Sequence, residues 1–336
     1  MDLRYDKNQV WRDITDPRRA EEVDDLEAGL KEPEFDNLEI PEHLGVVKEL
    51  VDDHKIKRYA FEIDEYSPWF LEKSPFYDGQ RIGGAGILIN DIVQLFTLVY
   101  RASHVIGLHT EEQIWFENPV KMDEVVTLEG TYVESYVRRG QGYVVMEATA
   151  TGEDGRTLVR HRGVEILKTI PGDISGRASA TPEKRVTGEI APDARHLSEA
   201  CSDLKVGDVV TPMPKTITAE QAAVFSRVGE FVTNIHNNLE TARKGNLSIP
   251  IVQGAQMFCT LTQMLTNFFG PSFFTSGWLC TKFIASVKVF EPFELSGQVS
   301  EIEVLEDGKR KVTLEVWVRR KSDNRLAVAG WASCVI

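Results

Sequence analysis

Two stretches of this chain carry the same pattern at one fixed spacing, and that repetition limits the possible folds more than any other feature. Phe116 recurs as Phe283, Val120-Lys121 as Val287-Lys288, Leu128 as Leu295, Gly130 as Gly297 and Gly163 as Gly330. Every pair is separated by the same number of positions (283 − 116 = 167). A constant offset across unrelated residue types marks an internal duplication, which must be read before any local pattern.

Both copies read as antiparallel meanders. YVVMEATATG in the first and KVTLEVWVRR in the second alternate in polarity and are rich in β-branched and aromatic residues. Turn signals such as GEDG and KSDNR separate the runs. Before each meander comes a long apolar segment opening on Gly-Ala, GAGILINDIVQLFTLVYRASHVIG and GAQMFCTLTQMLTNFFG. Neither contains proline and both exceed strand length, so each is expected to be a helix apolar nearly all round, and therefore buried. One buried helix wrapped by a bent antiparallel sheet, made twice, is an α+β double hotdog.

The expected organisation has four parts. Residues 1–50, with RRAEEVDDLEAGLKEPEFD, read as an acidic helical arm, and 51–166 as the first hotdog domain. Residues 167–200, rich in Pro, Gly, Ser and charge, read as a linker, and 201–336 as the second hotdog domain. A formal charge of −14 disfavours nucleic acid and anionic lipid as partners. No apolar run is long enough to span a bilayer, and the start is too polar for a secretory signal. The four cysteines, without C-x-x-C spacing, fit a reducing compartment, so a cytoplasmic location is expected. The seven histidines show no metal-ligand spacing, and no metal or cofactor is expected. Exposed sheet edges commonly pair, so a homo-oligomer is expected.

Chemistry concentrates between Thr218 and Gly254. Thr218 with Gln221 forms a capping-box pattern, which starts a short helix through Ala222, Val224 and Phe225. His236 then falls on an irregular loop, a second short helix contains Ala242, and Gly254 opens the long buried helix. The first turn of a helix leaves N–H groups unpaired, and glycine lets a carbonyl approach them, as an oxyanion hole requires.

Phe225, Gly229-Glu230, Asn234-Ile235-His236, Asn238, Ala242 and Pro250-Ile251-Val252-Gln253-Gly254 together resemble the MaoC-like family, the (R)-specific enoyl-CoA hydratases and 3-hydroxyacyl dehydratases of hotdog fold. The resemblance covers the chain from about Leu204 to its end and persists in the first half only through the helix and sheet. It implies a hydro-lyase acting on a 2-enoyl thioester, with acyl-CoA the expected substrate and an (R)-3-hydroxy product. By the resemblance, His236 and an acidic residue activate water while the Gly254 amide polarises the thioester. The family's Asp falls on Glu230 if one residue is inserted, and on Phe231 if the motif is aligned backward from His236 without a gap. The usual Pro before Ile235 is absent, and the usual His before Gly254 is Gln253. The first half, with no N-x-H between Asp64 and Gly84, is expected to lack the catalytic loop.

Other residues carry two readings each. Asn234, Asn238 and Gln253 are supports for the site or ordinary turn and cap residues. Arg243 and Lys244 could meet a ligand phosphate. Asn90, Asp91 and Gln94 put polarity on the first apolar segment, to line a pocket, to contact the twin domain or to satisfy a buried network. Two further functions stand beside the hydratase: a hotdog thioesterase or isomerase using Glu230, and a non-catalytic acyl-binding subunit.

Overall fold

The computed structural model describes residues 27–105, 107–167, 186–227 and 234–336. The duplication appears as a continuous sheet of eleven strands, in the order β1-β3-β4-β5-β2-β8-β11-β10-β9-β7-β6. In the first half these are β1 (Glu42–Val51), β2 (Leu108–Phe116), β3 (Glu124–Arg138), β4 (Gln141–Thr151) and β5 (Thr157–Ile166). In the second they are β6 (His196–Leu197), β7 (Val209–Lys215), β8 (Trp278–Phe283), β9 (Phe293–Val304), β10 (Arg310–Arg320) and β11 (Leu326–Val335). Antiparallel pairing of β2 with β8 joins the halves, and Gln113 lies opposite Cys280, its own counterpart at the 167-residue offset. A pseudo-two-fold axis therefore passes through that pair.

The repeat holds in detail. Isolated bridges link Ile82 to Lys121 and Ile251 to Lys288, and the following amides, Gly83 N–H and Val252 N–H, donate to Val120 O and Val287 O at 3.0 and 2.8 Å. The helices named below are α1 (Asp53–Ile63), α2 (Ile89–Val93), α3 (Ala219–Phe225), α4 (Leu239–Lys244) and α5 (Gly254–Phe269). In α5 only Gly254 and Asn267 escape full burial, which bears out the all-round apolar reading of the second copy.

The first copy departs from expectation. Instead of a long helix after Gly84 there is α2, five residues long, continued by 3₁₀ turns at Gln94–Leu98 and Ala102–His104. Glycines at 83, 84 and 86 weaken helix initiation. Close packing also intervenes: a Cβ at Gly86 would lie 2.9 Å from Cys259 Sγ on α5 and 2.6 Å from Tyr59 Oη. At Gly86, then, the chain packs directly against α5.

The arm also needs correction. Residues 42–50, placed within it from the sequence, form β1 together with Val51 and pair with β3. Residues 27–41 contain one 3₁₀ turn, Phe35–Asn37, rather than a long helix. Residues 1–26 lie outside the described residues, as do 168–185 of the linker. The described remainder of that linker docks on the second half, with Val186 buried against Trp317 and Ala329, and β6 pairing with β7.

The halves are locked where α1 ends. Its last carbonyls run short of local donors, as at any helix C-terminus, and Phe61 O has locally only a 3.3 Å bond from Asp64 N–H. Side chains from the other half supply them: Gln221 Nε2 donates to Phe61 O at 2.9 Å and Gln256 Nε2 to Glu62 O at 2.8 Å. Lys215 Nζ donates to Ile63 O at 2.6 Å and to Asp64 O at 2.7 Å, and Gln263 Nε2 also reaches Asp64 O at 3.3 Å. Each such bond contributes about 1 kcal/mol, but leaving the buried carbonyls unpaired costs more.

Glu65 follows directly and is buried. Burial pushes its carboxyl up to about 8, against a partial opposing pull from Lys215. The folded protein therefore holds a proton that the unfolded chain releases near 4.5. The stabilisation is complete below that value and is lost as pH rises toward 8. Glu65→Gln is expected to melt close to wild type at about pH 5, yet several degrees higher than wild type at about pH 9. Calorimetric melting curves across that range check it, and a constant difference between the two proteins would contradict it.

Candidate active site

The described part of the loop between α3 and α5 is built from short polar side chains bonding to nearby backbone. At its start, Thr218 Oγ1 accepts from Gln221 N–H at 3.2 Å and Gln221 Oε1 accepts from Thr218 N–H at 2.9 Å, so the capping box forms as read. The helix ends at Phe225, short of Gly229. Residues 228–233, including Gly229, Glu230 and Phe231, lie outside the described residues, so Glu230 has no described position relative to His236.

His236 follows in an Asx turn, its N–H donated to Asn234 Oδ1 at 2.9 Å. Its Nδ1 lies 2.9 Å from Ile251 O. A carbonyl oxygen can only accept, so Nδ1 carries the hydrogen and Nε2 keeps a free lone pair. Although the residue is half-buried, enough protein surrounds the imidazole that desolvation pushes it down to about 4, the bond to Ile251 O opposing this only in part. His236 is therefore neutral near pH 7, the protonation state a general base requires.

Gly254 lies three residues beyond Ile251 and is the first residue of α5. A Cβ there would lie 3.3 Å from the Phe283 ring, so the glycine has a packing reason beside any catalytic one. Gln253 is the N-cap, yet its side chain makes no capping bond. Its Oε1 is buried without a hydrogen-bond partner among the described residues. A buried amide oxygen in that state is unusual and calls for an explanation at this position.

The supporting residues divide. Asn234 holds the His236 amide, whereas Asn238 is the N-cap of α4, its Oδ1 accepting from Thr241 N–H at 2.9 Å. Arg243 and Lys244 are exposed at the end of α4, with Lys244 paired to Glu240 at 3.4 Å. Among the described residues neither is seen to contact His236 or Gly254.

The first half contributes more than its sequence suggested. Asn90 Nδ2 donates to Phe225 O at 2.5 Å, and Asp91 pairs with Arg227 as well as with Lys55, the latter at 2.5 Å. These residues anchor the last described turn before the loop that carries His236, so contact with the twin half and a buried network are both realised. Around Gly84, by contrast, the first half is closed. A Cβ at Gly84 would strike the Tyr59 ring, and the neighbouring void is about 10 Å³. Helix α1 runs eleven residues where α3 runs seven, and the path onward to the glycine is 21 positions (84 − 63) instead of 29 (254 − 225).

One cluster escaped the sequence reading. Glu112, on the inner face of β2, lies between His109 Nε2 at 2.6 Å and His161 Nε2 at 2.9 Å. The separations are those of ion pairs, but the alignment is not that of hydrogen bonds, and both carboxylate oxygens count as unsatisfied. Burial alone would raise Glu112, but the two histidines hold it at about 2. Burial opposes charge on His109, and Glu112 outweighs it, so His109 is raised. The His109 ring also lies tilted against Phe283, ring centroids 4.9 Å apart, which places the cluster one ring away from Gly254. The 167-residue offset held the missed signal: Glu112 and His161 stand where the second copy has Leu279 and Val328.

A cavity of about 510 Å³ opens elsewhere, beside Trp115 and Trp278, and neither His236 nor Gly254 lines it. Among the described residues no group of three or more His, Cys, Asp or Glu side chains is arranged to hold a metal ion, and no helix is long and apolar enough to cross a membrane.

No protein-family model matches the sequence, and no curated protein matches it. Solved structures do match. A MaoC-like dehydratase superposes with a TM-score of 0.67 at 15% identity, over 88% of this chain and 98% of that one. A MaoC-like dehydratase from Phytophthora capsici gives 0.59 at 12% identity, over 88% and 96%. A conserved hypothetical protein from Mycobacterium tuberculosis, described as having a double hotdog fold, gives 0.62 at 12% identity, over 91% and 98%. The chain thus has the α+β double hotdog fold, and its structural neighbours are MaoC-like dehydratases.

Proposed function

We propose that the protein is a hydro-lyase that reversibly adds water across the 2,3 double bond of an acyl thioester, with CoA as the carrier. The observation that carries this reading is the fixed tautomer of His236: with Nδ1–H held by the carbonyl of Ile251, three residues before the helix that Gly254 begins, an unprotonated Nε2 is left free. The dehydratase neighbours share the fold in which such chemistry is found.

In the hydration direction, Nε2 of His236 takes a proton from water as the water oxygen bonds to C3. The π electrons shift toward the thioester oxygen, where the N–H groups of the first turn of α5 stabilise the developing enolate. C2 then takes a proton, in this reading from the carboxyl of Glu230, which regains one from the protonated His236 before the next cycle. The net change is one water consumed and one (R)-3-hydroxyacyl thioester formed. Glu230 is proposed as the acid from sequence alone.

Purified protein incubated with crotonyl-CoA and longer enoyl-CoAs is expected to bleach the conjugated absorbance. His236→Ala should lower kcat by about 10²- to 10⁴-fold, and Glu230→Gln by a similar order. Thiol release without hydration would instead identify a thioesterase, and saturable binding without turnover an acyl-binding subunit.

The pH profile provides an independent check. A base must be neutral, and His236 is neutral above about 4, so kcat/KM should hold through the region near 6.5 where an ordinary imidazole protonates. An acid limb centred near 6.5 would remove His236 as the base.

A further inference from the structure

The buried polar cluster of the first half has no structural reason to exist. At the equivalent places in the second half the fold is satisfied by Leu279 and Val328, both essentially fully buried. A buried ionic group is often less stabilising than an apolar pair of similar volume, and removing water from a carboxylate and two imidazoles is costly. The Glu112 and His161 side chains are 0% exposed, yet their mutual alignment leaves both carboxylate oxygens and both His161 nitrogens without a proper hydrogen bond. Thr281, directly across from Glu112 on β8, is also buried, with an unpartnered Oγ1. Several unsatisfied buried polar atoms within one patch indicate a group that is present when the protein works.

The patch adjoins the candidate site. His109, at 12%, is the most exposed side chain of the cluster, and its ring lies tilted against partly exposed Phe283, which in turn packs at Gly254. His109 is thus the member of the cluster that contact through Phe283 links to Gly254, and Glu112 pairs it with His161. We infer that His109, Glu112, His161 and Thr281 form a specificity pocket for a neutral polar group, a hydroxyl or a carbonyl, on the acyl chain of the substrate. This rests on the reading of Gly254 as the place where the thioester is held.

Charge selects among polar groups. Glu112 is held ionised between the histidines, and Glu165 faces His109 from the adjacent strand. A carboxylate entering here would meet negative charge. A hydroxyl can donate to Glu112 and accept from an imidazole or Thr281, and a carbonyl can accept from the same donors. A plain alkyl chain offers them no hydrogen bond. Sites built to bond a hydroxyl discriminate strongly against analogues that lack it.

The test compares hexenoyl-CoA with its ω-hydroxy and (ω−1)-keto analogues, by turnover and by calorimetric binding of the saturated counterparts. Wild type is expected to prefer the polar chains by about a hundredfold or more in kcat/KM or in Kd. Glu112→Leu with His161→Val, which installs the second half's own pair, should bring the ratio close to one. His109→Asn gives a second variant at the exposed edge, should the double change fail to fold, and is expected to shrink the ratio at least about tenfold. Equal handling of polar and alkyl chains by wild type overturns the pocket, as does a preference that survives both variants. Turnover without preference leaves the hydratase reading standing and removes this one. Preferential binding of the polar chains without turnover does the reverse.

Discussion

The C-terminus of α1 is the joint on which the two halves depend. Phe61, Glu62, Ile63 and Asp64 present carbonyls of which the first half itself supplies a donor only to Phe61 O, from Asp64 N–H, and Lys215, Gln221, Gln256 and Gln263 of the second half bond to all four. Two of these donors sit on α5, one on α3 and one at the end of β7, so α3 and α5, which bracket the loop of the candidate site, are both tied to one helix end in the other half. A buried carbonyl without a donor is penalised more than a typical bond is rewarded, so these contacts enforce a single docking geometry rather than adding stability freely. Glu65 shows the strictness of that joint, since burial beside it keeps a carboxyl protonated well above its ordinary range.

From this joint the division of labour follows. Around Gly84 the first half is filled by Tyr59, and its central helix is only five residues long. What it gives up as a site it contributes as support: Asn90 and Asp91 secure Phe225 and Arg227, and His109 packs on the ring that lies at Gly254. Neither half alone contains the surroundings of His236 and Gly254.

Much of the fold was legible because it rests on periodicity. The 167-residue repeat gave the meanders and their pairing in duplicate, the Thr218–Gln221 spacing gave the start of α3, and the apolar run after Gly254 gave α5. The same reading failed after Gly84, because apolar composition reports burial and not which regular element is buried. It failed at 42–50, where a run with only two acidic residues, Glu42 and Glu49, forms an edge strand whose Leu44 turns into the core. His236 could be picked out from local motif, whereas its tautomer depends on Ile251 O, fifteen residues away, which no local pattern encodes. Glu112 was passed over because the polar run 110–113 masks the inward register that Ile114 and Phe116 set, and comparison with Leu279 marks it as out of place.

Gln113 facing Cys280 across the seam has a wider implication. In a symmetric pair of identical chains every substitution is imposed twice, once on each side of the axis, and a change useful at one mouth must be tolerable at the other. Here the two lobes share one backbone, so a residue can differ from its mirror position. Asymmetry of that kind lets one lobe specialise as scaffold while its twin is free to adapt its chemistry.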